Sequence, residues 1–83
     1  MPRYRKKPII VEAERFVPGE HTPKGVKRGD TMETMDQWQI HTRQGRVRVY
    51  PGDWIITTPD GERYPCAPDV FEQTYEPVEE EDA

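Results

Sequence analysis

Between Pro51 and Glu76 the chain reads PGDWIITTPDGERYPCAPDVFEQTYE, and its prolines and glycines leave few ways to fold it. Pro51-Gly52-Asp53 and Pro59-Asp60-Gly61 are turn sequences, because proline presets φ and glycine accepts positive φ without a steric penalty. Pro68 suits the first turn of a helix, where its missing N–H would have had no partner. The segment therefore predicts a turn, a strand, a second turn, a second strand and a short helix, followed by an extended exit. The two strands are expected at Trp54–Thr57 and Glu62–Pro65, and the helix at Pro68–Thr74.

Upstream of this unit the pattern is alternation. Trp38, Ile40 and Thr42 alternate with Gln37, Gln39 and His41; Arg43-Gln44-Gly45 can turn the chain; Val47 and Val49 then alternate with Arg46, Arg48 and Tyr50. Alternation of period two is the mark of strands with one buried and one polar face. A further strand is expected from Ile9 to Phe16, with Ile9, Val11 and Ala13 on one face and Glu12 and Glu14 on the other. The stretch 17–36 carries three glycines, two prolines and scattered apolar residues, and reads as a long irregular loop with at most a helical turn near Thr31–Met35. Tyr75 to Val78 can add an edge strand that Pro77 limits. The expected fold is α+β: a small, mostly antiparallel, curved sheet of about five strands with one short C-terminal helix. Residues 1–78 form a single small domain on this reading, and 79–83 an acidic disordered tail.

With 83 residues the core must be thin, because a chain of this size buries only about 60–65% of the surface it exposes when unfolded. The expected core is Ile9, Val11, Ile40, Val47, Val49, Trp54, Ile56, Tyr64, Val70, Phe71 and Tyr75, with Val70, Phe71 and Thr74 on the inner face of the helix. One cysteine allows no internal disulfide, so self-association into a homo-oligomer is a reasonable way to complete such a core. No apolar run approaches the roughly 20 residues that span a bilayer, and the basic start lacks the apolar stretch of a signal peptide. A soluble, intracellular protein is expected.

Charge is unevenly placed. Up to Arg63 there are twelve lysines and arginines against nine acids, a balance of +3; from Tyr64 onward there are seven acids and no base. The overall charge of −4 and the lack of a recognised motif speak against extended nucleic acid as a partner. Cys66 precedes the expected helix, but only His21 and His41 could serve as its base and neither is placed to do so, so a packed thiol is the expectation. His21, His41 and Cys66 are at no metal-ligand spacing. Catalytic residues, a metal and a cofactor are therefore not expected. Arg46, Arg48 and Tyr50 share a strand face, and guanidinium groups beside an aromatic can neutralise a phosphate and stack a base. With Trp54 and Tyr64 as candidate walls, these five are the expected ligand-binding residues.

Three segments together carry a likeness: YRKKPIIVEA at Tyr4–Ala13, PGDWI at Pro51–Ile55, and YPCAPDVFEQTYEPV at Tyr64–Val78. In these the chain resembles small, functionally unassigned proteins of bacteriophages and prophages that pair a YRKKP-x-x-VEA start with PGD-[WY]-I and YPC-x-PD-x-FE-x-TYE. The resemblance implies a phage accessory protein in the host cytoplasm and is nearly silent on activity; binding without enzymatic activity is the expectation from the residues. More loosely, the order of strands, short helix and Tyr-Glu exit looks like the end of phage anti-Thoeris proteins that sequester a nucleotide signal. That likeness implies a nucleotide-like small molecule as ligand. A host protein as partner, or a minor structural or assembly role in the phage, are the alternatives.

Overall fold

The computed structural model describes residues 1–5 and 8–78. In chain order its elements are β1 (Glu12–Arg15), β2 (Lys27–Arg28), β3 (Trp38–Thr42), β4 (Gly45–Val49), β5 (Trp54–Thr57), β6 (Arg63–Cys66) and α1 (Pro68–Thr74). All strand pairings are antiparallel. The helix bounds match those expected from sequence. The strands, however, divide into two three-stranded sheets, β1-β5-β6 and β2-β3-β4, where one sheet of about five was expected. The extra strand, β2, lies within the stretch expected to be irregular. The first strand is shorter than expected, leaving Ile9 and Ile10 exposed, and no strand forms at Tyr75–Val78. The expected acidic tail, 79–83, lies outside the described residues.

Turn chemistry sets where the chain changes sheet. After β4, Tyr50-Pro51-Gly52-Asp53 closes with the Asp53 N–H on the Tyr50 carbonyl at 3.0 Å, and Gly52 takes φ 93° at the position where a type II turn demands a positive value. Asp53 is buried, and its Oδ2 accepts the Tyr50 N–H at 2.9 Å. The turn is also tied to the end of the first strand. Gly52 N–H donates to the Phe16 carbonyl, and Phe16 N–H to the Asp53 carbonyl, both at 2.8 Å. Between β5 and β6, Gly61 N–H bonds the Thr58 carbonyl at 2.9 Å across Pro59-Asp60, and Gly61 adopts φ 93°. Pro65 is tolerated in β6 because that strand is an edge of its sheet.

Register fixes the layers. On one face of β1-β5-β6 lie Glu14, Ile55 and Pro65; on the other lie Arg15, Trp54 and Cys66, with Ala13, Ile56 and Tyr64 alongside. Ile55 meets Phe16, Val26, Ile40 and Val49 in a buried cluster that Trp38 borders, so the first face packs on β2-β3-β4. Phe16 and Trp38 meet edge to face with centroids 5.0 Å apart. The second face is covered by α1. Phe71 stacks on Trp54 at 4.2 Å and 7°, and the Tyr75 and Tyr64 hydroxyls are 3.1 Å apart. The inner positions of α1 and its exit are thus Phe71 and Tyr75, one turn apart, while Val70 is 49% exposed and Thr74 exposed. This corrects the expected Val70–Phe71–Thr74 face. The order is sheet, sheet, helix.

Candidate functional site

With Trp38 and Ile40 turned inward, the intervening residues of β3 face away from the helix-bearing sheet. Their cross-strand partners face the same way: Lys27 pairs with Gln39 and Gln39 with Arg48 in one row, and His41 pairs with Arg46 in the next. The outer face of β2-β3-β4 therefore carries Lys27, His41, Arg46 and Arg48 and no acidic residue of its own strands. Lys27 and Arg48 stand two strand spacings apart, about 10 Å. Because β2 is two residues long, it pairs only with Trp38 and Gln39, and along that edge no strand among the described residues pairs with Ile40 to Thr42. An open groove of about 720 Å³ runs from the outer face over that edge to the β5–β6 turn, lined by Lys27, His41, Arg46 and the segment from Asp60 to Arg63 among others.

Acids approach the groove from its two ends. Asp30 places Oδ1 3.1 Å from Arg46 Nη1, and this guanidinium holds its carboxyl below the usual aspartate range. At the other end Arg43 Nη2 bonds Asp60 Oδ2 at 2.8 Å. Asp60 is pulled down to about 2, chiefly by the Thr58 hydroxyl and then by Arg43 and the Glu62 N–H. Arg63 crosses beneath the groove to donate to the Lys24 carbonyl at 2.8 Å. The side chains of Lys27 and His41 make no hydrogen bond or ion pair among the described residues.

Of the five residues nominated from sequence, three lie on this face. Arg46 lines the groove, and the Arg48 guanidinium lies 4.7 Å from the centroid of the Tyr50 ring, which is 53% exposed. Trp54 and Tyr64 do not join them. The chain changes sheet between Tyr50 and Trp54, so both of these side chains point into the layer under α1, where Trp54 also receives Arg15 at 5.8 Å from its ring centroid. Tyr64 is engaged by Tyr75, and its phenol is pushed up to about 12, first by that hydrogen bond and then by burial. Sequence reasoning missed Lys27, because a two-residue strand shows no alternation. It also missed Asp30, which reaches Arg46 only through the fold of the loop. Alternation along β3 puts His41 outward too, directly across from Arg46.

Cys66 lies half-buried beside Trp54 in the register. Burial raises its thiol pKa, with the carboxylates of Asp53 and Asp69 adding to the effect, which is the opposite of activation. Among the described residues no group of three or more His, Cys, Asp and Glu side chains is placed to hold a metal ion. No helix among them is long and apolar enough to cross a membrane. No protein-family model, curated protein or solved structure matches the chain.

Proposed function

We propose that the chain is a non-enzymatic binding protein that holds a small anionic, nucleotide-like ligand against the outer face of β2-β3-β4. The observation that carries this reading is the in-register placement of Lys27, His41, Arg46 and Arg48 on one strand face that opens onto the groove. Strands hold such groups at fixed spacing, so a polyanion meets donors that need little reordering, and the exposed Tyr50 ring beside Arg48 offers a surface on which a base can stack. Taken with the resemblance to phage proteins, the reading is of an accessory protein that keeps a host signal from its receptor in the infected cell. The raised thiol of Cys66 supports binding over nucleophilic catalysis.

Calorimetry against a panel of cyclic and linear nucleotides tests the proposal. Binding should weaken as salt is added, since exposed charges are screened over about 8–10 Å at physiological ionic strength. Replacing Arg46 and Arg48 together by glutamate should abolish it while leaving the fold intact. Absence of binding heat at every salt concentration, with folded protein, would end the nucleotide reading. A protein partner would then be favoured, for which the exposed Tyr4, Ile9 and Ile10 are the specific support.

A further inference from the structure

The loop between β2 and β3 folds back on itself. Gly29 N–H donates to the Gln37 carbonyl at 3.0 Å, and Gln37 N–H to the Thr34 carbonyl at 2.8 Å. The hydroxyls of Thr31 and Thr34 are 2.9 Å apart. Gly29 lies so close to Thr34 that a Cβ there would overlap both the side chain and the carbonyl of that residue. The loop is thus shaped by its own contacts, and in that shape it presents Asp30 to Arg46, with Oδ1 3.1 Å from Nη1. A carboxylate in that position does what an oxygen of a phosphate would do, namely accept a charge-assisted hydrogen bond from the guanidinium. Beside it on the same face are His41, directly across from Arg46, and Lys27, one row away.

We infer that Arg46, His41 and Lys27 form a phosphate subsite of the groove and that Asp30 is its built-in occupant, displaced when a phosphorylated ligand binds. The inference rests on the anion-binding reading above and gives that site its ligand group and its selectivity. A singly charged anion would have to compete with a tethered carboxylate for one guanidinium. A multiply charged phosphate engages Lys27 and His41 as well, so it gains contacts that Asp30 does not make. Displacement also exposes Asp30 to the bound anion if the loop stays near, so the loop must swing or the ligand must enter on the His41 side. Asp30 is held in its charged form by Arg46, so it occupies the site as an anion at neutral pH.

The test is calorimetric titration with sodium pyrophosphate of the parent protein, Asp30→Asn and Arg46→Gln. Asp30→Asn keeps the shape of the side chain but removes its charge, and should bind pyrophosphate about tenfold more tightly than the parent. Arg46→Gln, alone or with Asp30→Asn, should lose binding. Asp30→Ala, which leaves no amide beside Arg46, should show the same gain as Asp30→Asn; melting temperatures check that each variant is folded. Pyrophosphate binding by the Asp30 variants where the parent shows none would also support the inference. If the parent binds and removal of the Asp30 charge leaves affinity unchanged, the occupant role is overturned while the binding reading stands. If neither the parent nor the Asp30 variants bind pyrophosphate or any nucleotide of the panel, both are overturned.

Discussion

Ile55 and Ile56 are neighbours in β5, and both are removed from water, at 2% and 0% exposure. They are covered by different kinds of layer. Ile55 points into the space between the sheets, where Phe16, Ile40 and Val49 are each at 2% exposure or less. Ile56 points the other way, toward Ala13 and Tyr64 and the side on which α1 lies. No residue of α1 is itself buried. The first layer is an interior closed by two sheets, with aliphatic side chains packed around Phe16; the second is a partly exposed aromatic stack of Trp54, Phe71 and Tyr75, with Phe71 and Tyr75 at 5.4 Å. A chain this short cannot enclose both faces of a sheet equally. Sheet-on-sheet packing closes the space around Phe16, and on the other side a two-turn helix reaches over the sheet with the rings of Phe71 and Tyr75.

The contrast predicts unequal costs for the same truncation. Phe16→Ala empties a fully enclosed site, and the cost should be about 3–5 kcal/mol. Much of the stability of a domain of this size would be lost. Chemical denaturation should find the variant largely unfolded in buffer. A variant that keeps most of its unfolding free energy would show that the space between the sheets is not the principal core.

Phe71→Ala should cost less, about 2 kcal/mol, because the ring is only partly buried and loses that burial and its stacking on Trp54 without emptying an enclosed site. The sequence-based assignment of Phe71 to the core carries an expectation of a Phe16-sized loss; the ring's partial exposure lowers it. Val70→Ala, at a position 49% exposed, serves as the control and should change stability by about 0.5 kcal/mol or less. Equal losses at Phe16 and Phe71 would erase the distinction between the layers. A loss at Val70 comparable to that at Phe71 would restore the helix face read from sequence.

How much of this was legible follows from where each signal resides. Pro51-Gly52, Pro59-Asp60-Gly61 and Pro68 act locally, and each stands where its φ requirement placed it. Alternation put Arg46, Arg48 and Tyr50 outward and Val49 inward, and the exposures agree. The division into two sheets depends on β1 pairing with β5 across the intervening chain, and nothing local in EAER specifies that partner. Phe16, Val26 and Pro23 are buried but were absent from the expected core. The first falls in step with Glu12 and Glu14, on the face that alternation makes polar, and the other two belong to a stretch without periodicity. Lys27 escaped for the same reason. In α1 a two-turn helix offers too few positions for a pattern to emerge, and its second inward ring, Tyr75, stands at the C-cap rather than within it. Half of the candidate site was therefore readable as a strand face, while the occupant of that face and the strand beside it were set by tertiary pairing.

A smaller expected effect than the loss of either phenylalanine ring comes from the hydrogen bond that ties the helix exit to the sheet beneath it. Tyr64→Phe removes the 3.1 Å contact with the Tyr75 hydroxyl while keeping the ring, and should cost about 1 kcal/mol, since both hydroxyls lie near water that can replace the bond. Its signature is in the pH dependence. In the folded protein the Tyr64 phenol is raised from 10.0 to about 12, chiefly by the bond to Tyr75, so the folded state retains a proton that the unfolded state gives up earlier. The resulting stabilisation is fully present below pH 10.0 and declines as pH rises toward about 12. The melting temperature of the parent should therefore fall across that interval, and the fall should be shallower in Tyr64→Phe and in Tyr75→Phe. Parallel curves for parent and variants would mean that the two hydroxyls do not hold each other. The helix layer would then rest on its rings alone, which sharpens its difference from the closed layer on the other side of β5.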